Sequence, residues 1–122
     1  MHVERHSITL TTAADGSATV YSPHVTGRVL GIRVVVGTLD TGTDLTITAE
    51  ATGEAIMTVA NVAANTSYYP RVGVNAASDG AAATLDGTRL MRDYVYLAND
   101  RVKIIAAQGG NVTTGTVIVI IG

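Results

Sequence analysis

The sequence predicts an all-β protein, an antiparallel β-sandwich of about eight strands with a jelly-roll-like topology. Three observations support this prediction. Thr, Val and Ile together supply 43 of the 122 residues, against seven Leu. Such β-branched side chains favour strands over helices. Short segments also alternate apolar and polar residues, and Gly, Asp or Asn separates most of them. A smaller β-barrel is the alternative topology, because a sequence indicates strand number better than strand order.

The first part of the chain contains three predicted strands. Residues 4–12 alternate apolar and polar side chains, and the Asp15-Gly16 pair predicts a tight turn into a second strand at residues 17–21. Pro23 ends that strand because proline cannot donate a backbone hydrogen bond. The longest β-rich run follows at residues 25–37, and we expect it to be a central strand.

The middle of the chain predicts a hairpin and then an extended segment. Strands at residues 45–50 and 54–59 flank the Thr52-Gly53 turn. Residues 61–66 form a polar, Ala-rich link, and residues 60–65 have the composition for one helical turn. Residues 68–74 are predicted to be extended, with Pro70 favouring an edge of the sheet.

The last part of the chain has one long loop and three strands. Residues 75–89 have the weakest β pattern, and we predict a surface loop that is used for contact. Residues 90–97 fit either a helical face or a strand, and the Tyr-Val-Tyr sequence favours a strand. Strands follow at residues 101–107 and 116–121.

Length and composition predict one domain, residues 1–122, with an extended N-terminal arm at residues 1–5. The absence of Cys excludes disulfides and thiolate metal sites. Eight Lys and Arg residues and a net charge of −2 argue against direct nucleic-acid binding. The longest apolar run, residues 117–121, is too short to span a membrane, and no secretory signal is evident, so we expect a soluble protein made in the cytoplasm.

Three groups of residues are candidate chemical sites, and for each we favour a structural interpretation. The three histidines lack a nearby acidic cluster and indicate a surface or interface rather than a metal site. The loop at residues 40–44 has too few carboxylates for calcium. The Glu50 and Glu54 pair flanks a turn without the apolar cleft that a glycosidase needs. We therefore predict no enzymatic activity, no cofactor and no bound metal. The histidines are His2, His6 and His24.

The five tyrosines are the only aromatic residues. Tyr68 and Tyr69 are adjacent, so they point to opposite faces of a strand, and at least one should lie outside the core. We interpret them, with Arg71, as an interface patch. Tyr94 and Tyr96 share a face, and we expect this pair to fill the core in place of Phe and Trp.

Four segments resemble small all-β structural proteins of tailed bacteriophages, in particular capsid decoration or cement proteins. They are residues 25–34 (VTGRVLGIRV), 45–50 (LTITAE), 97–104 (LANDRVKI) and 114–119 (TGTVIV). The resemblance implies an oligomeric jelly-roll subunit on the outer capsid surface of a virion, which clamps neighbouring major capsid proteins. It also implies self-association, as a homo-dimer or a homo-trimer. A phage tail or fibre component, or a carbohydrate-binding β-sandwich module, is the alternative.

The predicted contacts to the capsid and to other copies combine the N-terminal arm, the tyrosine patch and the long loop. Contacts by strand addition at a sheet edge are also expected. The candidate interface residues are His2, Arg5, Tyr68, Tyr69, Arg71, Asp79, Asp86 and Arg89.

Overall fold

The computed structural model describes residues 2–75, 79–84 and 87–122. These residues form β1 (Glu4–Thr11), β2 (Ala18–Tyr21), β3 (Val25–Val35), β4 (Asp44–Ala49), β5 (Ala55–Val59), β6 (Thr66–Tyr68), β7 (Val72–Gly73), β8 (Arg92–Asp93), β9 (Tyr96–Asp100), β10 (Val102–Ala107) and β11 (Thr114–Ile121). Within the described ranges there is no helix of the length and apolar character needed to cross a membrane.

Eight of these strands form a long antiparallel ribbon that is wound on itself. β1 pairs with β11, β2 with β10, β3 with β6, and β4 with β5, so the chain runs along one arm of the ribbon and returns along the other. Winding the ribbon places β11 beside β3 and β10 beside β4. The first sheet therefore has the order β1-β11-β3-β6, and the second has the order β2-β10-β4-β5.

This strand order is that of a jelly roll, with two four-stranded sheets built from one wound ribbon. The predicted fold class is confirmed, because the eight strands of the ribbon lie in the two sheets of a β-sandwich. The remaining strands lie between β6 and β10 in the chain. β9 pairs with the N-terminal half of β3, and β7 pairs with β8.

The core lies between the two sheets and consists of aliphatic side chains from their inner faces. All of the largest fully buried side chains except Thr43 are Leu, Ile or Val. Alternation along each strand sends one set of side chains inward and leaves the other set on an outer face. The best buried positions of the inner strands are Val29, Ile32, Val34, Val117 and Val119 in the first sheet, and Leu45, Ile47, Val102 and Ile104 in the second.

The prediction that Tyr94 and Tyr96 fill the core is wrong. Val95 and Leu97 occupy the inward positions and are 1% and 3% exposed. Because neighbouring side chains alternate, the tyrosines are displaced from the core, and Tyr96 is 60% exposed. The absent Phe and Trp are thus replaced by aliphatic residues, with Tyr68 packed against the edge of the core.

The expected N-terminal arm at residues 1–5 overlaps the first strand, which begins at Glu4. Glu4 and Arg5 belong to β1, opposite Ile121 and Ile120, because the antiparallel pairing continues to the end of β11. Of the expected arm, Met1 lies outside the described residues.

The segments predicted to be extended at residues 68–74 and 90–97 are each divided, and residues 60–65 do not form a helical turn. Residues 68–74 are split by Pro70, which follows β6, and residues 90–97 contain parts of both β8 and β9. Residues 60–65 form a loop, in which Val62 is 3% exposed and packs in the core. The backbone N–H of Val62 donates to the Thr43 carbonyl oxygen at 2.9 Å, which fixes this loop without helical bonds.

Candidate interaction surfaces

The outer face of the first sheet carries an exposed tyrosine ring. Tyr69 is 71% exposed, whereas Tyr68 packs against the core, as their opposite orientations predict. The Tyr69 ring lies against Gly31, where an added Cβ would be 3.4 Å from its Cδ1 atom. This is an ordinary van der Waals distance, so the Tyr69 ring packs directly over position 31.

Beside this ring lies a shallow hollow of about 280 Å³, which we call the Tyr69 hollow. Arg5 and Arg33 line it, and the Arg33 Nη1 atom donates to Ser67 Oγ at 2.8 Å. Both arginines are exposed, and none of the described residues that line the hollow is acidic. Aromatic and arginine side chains beside aliphatic ones are typical of protein interfaces. The hollow is lined by Arg5, Gly31, Arg33, Tyr69, Ile118 and Ile120, among others.

The described residues of the long loop predicted at residues 75–89 belong to a hydrogen-bonded segment, which we call the finger (residues 72–75, 79–84 and 87–93). β7 and β8 form its lower part. Above them, the Val74 N–H donates to the Met91 carbonyl oxygen at 3.0 Å, and the Met91 N–H donates to Ala83 at 2.9 Å. Leu90 and Met91 are 45% and 44% exposed. The finger therefore presents apolar side chains to solvent on a segment with its own backbone pairing.

The base of the finger is fixed by a stacked tyrosine. The Arg71 guanidinium carbon lies 3.8 Å from the centre of the Tyr94 ring, and that of Arg28 lies 5.0 Å from it. Arg71 Nη1 also donates to the Pro70 carbonyl oxygen at 2.7 Å. Next in the chain, Val95 is buried and its carbonyl oxygen accepts the N–H of Val29. Cation–π contacts and this anchor hold the finger against the first sheet.

The candidate interface residues lie on separate surfaces. Arg5 and Tyr69 line the hollow, whereas the Arg71 guanidinium stacks on the Tyr94 ring. Asp79 and Arg89 are exposed on the finger. Asp86 lies outside the described residues. The exposed His2 side chain is at the start of the chain, with Nε2 3.1 Å from Glu4 Oε1.

The histidines near the N-terminus share one carboxylate. His2 contacts Oε1 of Glu4, and His6 contacts Oε2 at 3.2 Å. These hydrogen bonds lower the pKa of Glu4. Among the described residues, no group of three or more His, Cys, Asp or Glu side chains is arranged to hold a metal ion.

Glu50, Asp40 and Asp44 each contact a different part of the chain. Glu50 forms an ion pair with Arg101, not a pair with Glu54, and the hydrogen bond from Arg101 lowers the pKa of Glu50. A general acid needs the opposite shift. Asp40 lies against Gly110, and Asp44 Oδ1 accepts the Asn61 N–H at 3.0 Å.

Sequence reasoning missed the exposed Leu90 and Met91 of the finger and also Val112, which lies on the loop between β10 and β11. Val112 is 64% exposed, and its backbone φ is +50°. This left-handed conformation is rare for a β-branched residue. The Gly109-Gly110-Asn111 sequence indicated a turn here, but no sequence signal places a valine in a left-handed conformation.

No protein-family model and no curated protein matches the chain. Among solved structures, the chain is similar to a protein in the structure "Bacillus endospore appendages form a novel family of disulfide-linked pili". The identity is 18% and the TM-score 0.46, with 98% of this chain and 84% of the other covered.

Two larger proteins show weaker similarity. An exo-β-1,3-galactanase from Phanerochaete chrysosporium is 11% identical, with a TM-score of 0.35; the match covers 97% of this chain and 27% of the enzyme. The VP2 protein of infectious bursal disease virus is 19% identical, with a TM-score of 0.27; the match covers 97% of this chain and 32% of VP2. The chain thus spans about a third or less of these two proteins. The three proteins have different functions, and the comparison assigns none of them to this chain.

Proposed function

We propose that this protein is a structural virion protein that decorates an icosahedral phage capsid and stabilises it by clamping neighbouring major capsid proteins. The resemblance of four segments to phage decoration proteins supports this function. The observation that carries the proposal is the finger, which presents Leu90 and Met91 to solvent on a firmly anchored base. Apolar side chains held in this way are suited to be covered by a partner surface.

A decoration protein stabilises a shell when it binds the assembled lattice but not the separated subunits. One site that is occupied at a free concentration of 100 times its Kd contributes about 2.7 kcal/mol. Many copies on one particle multiply this contribution. The proposed position is the outer capsid surface, which the protein reaches after synthesis in the host cytoplasm.

The test is co-sedimentation with empty shells assembled from the major capsid protein encoded in the same genome. The wild type should pellet with shells, should not bind unassembled subunits and should raise the shells' dissociation temperature. In the main variant, an Asn-Gly turn replaces residues 75–90 and joins Val74 to Met91. These two residues already share a backbone hydrogen bond, and Asn-Gly suits a two-residue hairpin loop. Shortening the finger in this way should abolish binding to shells.

A point variant and a matched control separate the finger contact from general surface hydrophobicity. Leu90→Ser with Met91→Ser should weaken binding to shells by about tenfold or more. Ile105→Ser, on the outer face of the second sheet and 36% exposed in the native protein, should leave binding unchanged. Failure of the wild type to bind shells, or full binding by the shortened variant, would refute the proposal. Saturable binding to a glycan array without shell binding would instead support the carbohydrate-binding alternative.

A further inference from the structure

Three loops meet at one end of the sandwich, at residues 13–17, 37–43 and 109–113. The Gly109 N–H donates to the Gly16 carbonyl oxygen at 2.9 Å, and the Asp40 N–H donates to Gly109 at 3.1 Å. Asp15 and Asp40 are exposed in these loops, which contain no Lys, Arg or His. We call this surface the acidic loop end.

Val112 projects from the acidic loop end at a conformational cost. Its left-handed backbone is strained for a β-branched residue, and its exposed side chain gains little from burial inside its own molecule. Neighbouring threonines hold this conformation. The Thr113 N–H donates to Thr12 Oγ1 at 2.8 Å, and Thr113 Oγ1 donates to the Gly109 carbonyl oxygen. The chain thus maintains a strained loop that presents an apolar side chain at the same end of the sandwich as Asp15 and Asp40.

The Tyr69 hollow is complementary to the acidic loop end in charge and in its apolar surface. It is apolar at its centre, and its only charged lining residues in the described part of the chain are Arg5 and Arg33. None of the residues of the acidic loop end of the same molecule lines the hollow. Thr11, at the end of β1 next to the loops, and Arg5 lie six residues apart on the strand, or about 20 Å. Complementary surfaces that lie apart in one molecule can meet between two.

We propose that the acidic loop end of one copy docks into the Tyr69 hollow of a second copy. Val112 then enters the apolar centre, while Asp15 and Asp40 face Arg5 and Arg33. Each contact joins two different surfaces, one from each copy. Two copies that exchange this contact reciprocally form a two-fold dimer, whereas copies that do not reciprocate it form a ring or a filament.

This self-association is independent of capsid binding, because the finger is not part of either surface. It also differs from nucleic-acid binding, which needs many phosphate contacts rather than two arginines beside apolar side chains.

The experiment uses two charge-reversed variants of the whole chain. One carries Arg5→Glu and Arg33→Glu, and the other carries Asp15→Lys and Asp40→Lys. Each alone should stay monomeric in sedimentation equilibrium, because its two docking surfaces repel each other. An equimolar mixture should associate again, since the reversed hollow of the first variant matches the reversed loop end of the second. Restored association would also show that both variants are folded.

Two further measurements complete the test. Wild-type association should weaken when NaCl is raised from about 0.05 M to about 0.5 M, because charge pairs are screened. Val112→Asn should weaken association about tenfold while its melting temperature holds or rises, since Asn tolerates the left-handed conformation. Lys103→Glu, on the other sheet, is the matched charge control and should associate like the wild type.

Three outcomes would overturn the proposal. They are a wild type that stays monomeric, a variant mixture that remains monomeric, and undiminished association of Val112→Asn. A single-stranded oligonucleotide could instead bind the wild type and fail to bind the Arg5→Glu, Arg33→Glu variant. This result would also overturn the proposal, because the partner of the hollow would then be a nucleic acid and not a second copy. Shell binding by a monomeric wild type would reject this inference and leave the proposed function intact.

Discussion

At the scale of single residues, two glycines show how backbone conformation and close contacts together restrict which side chain a position accepts. Gly37 and Gly53 both have positive φ, at +54° and +73°. A Cβ at Gly37 would overlap the Thr114 carbonyl oxygen, whereas a Cβ at Gly53 would meet nothing within 4 Å. The Thr52-Gly53 turn was predicted from local sequence. The contact at Gly37 was not, because Thr114 is distant in the chain and reaches it only through the fold.

Gly37→Ala and Gly53→Ala form a matched pair for this difference. Gly53→Ala should lower the free energy of unfolding by about 1 kcal/mol, the cost of a left-handed alanine. Gly37→Ala adds a clash with backbone and should cost about 3 kcal/mol or more. Urea unfolding of the two variants measures both values. Equal losses would show that the backbone around Thr114 relaxes without cost.

At the scale of elements, side-chain hydrogen bonds join strand ends to neighbouring loops. The alternation of apolar and polar residues does not predict these bonds. Thr12, just after β1, is 2% exposed. Its Oγ1 donates to the Gly110 carbonyl oxygen at 2.9 Å and accepts the Thr113 N–H at 2.8 Å. This threonine therefore ties the end of β1 to the loop before β11. The sequence predicted both strands, but it assigned Thr12 to the alternating strand pattern and not to this link.

Thr12→Val should destabilise the protein although it preserves side-chain shape. The methyl group leaves a buried backbone donor without its partner, which costs about 1–3 kcal/mol. Thr9→Val, at an exposed position of β1, is the control and should change the free energy of unfolding by less than about 0.5 kcal/mol. Thermal unfolding and hydrogen exchange of the Thr113 amide measure the effect. Unchanged protection of that amide would contradict the assigned role.

On the scale of the whole molecule, the wound ribbon brings distant segments together at its closed end. Glu50, beside the β4–β5 turn, forms its ion pair with Arg101 from the β9–β10 junction. The Arg101 guanidinium carbon also lies 4.0 Å from the centre of the Tyr21 ring, at the end of β2. Three parts of the ribbon thus meet through one arginine. The sequence suggested Glu50 only as a partner for Glu54.

The Glu50–Arg101 pair predicts a pH dependence of stability. Its hydrogen bond lowers the pKa of Glu50 below the usual value of 4.5, so the stabilisation is complete above that pH. It is lost as the pH falls through the lowered pKa of the folded state. Glu50→Gln should therefore lower the melting temperature at about pH 7 but not at about pH 2. Glu54→Gln is the control at the same turn, and parallel curves for Glu50→Gln and wild type would contradict the prediction.

The sequence by itself determined the fold class and most of the strands, because β-branched composition and alternation are local signals that survive in any β-sandwich. It also selected Tyr69 and Arg5 as candidate interface residues, and both line one hollow. Only the tertiary structure decided the jelly-roll winding, the outward displacement of Tyr94 and Tyr96, and the meeting of Val112 with Asp15 and Asp40 at one end. These features depend on pairings between residues far apart in the chain, which no local pattern encodes.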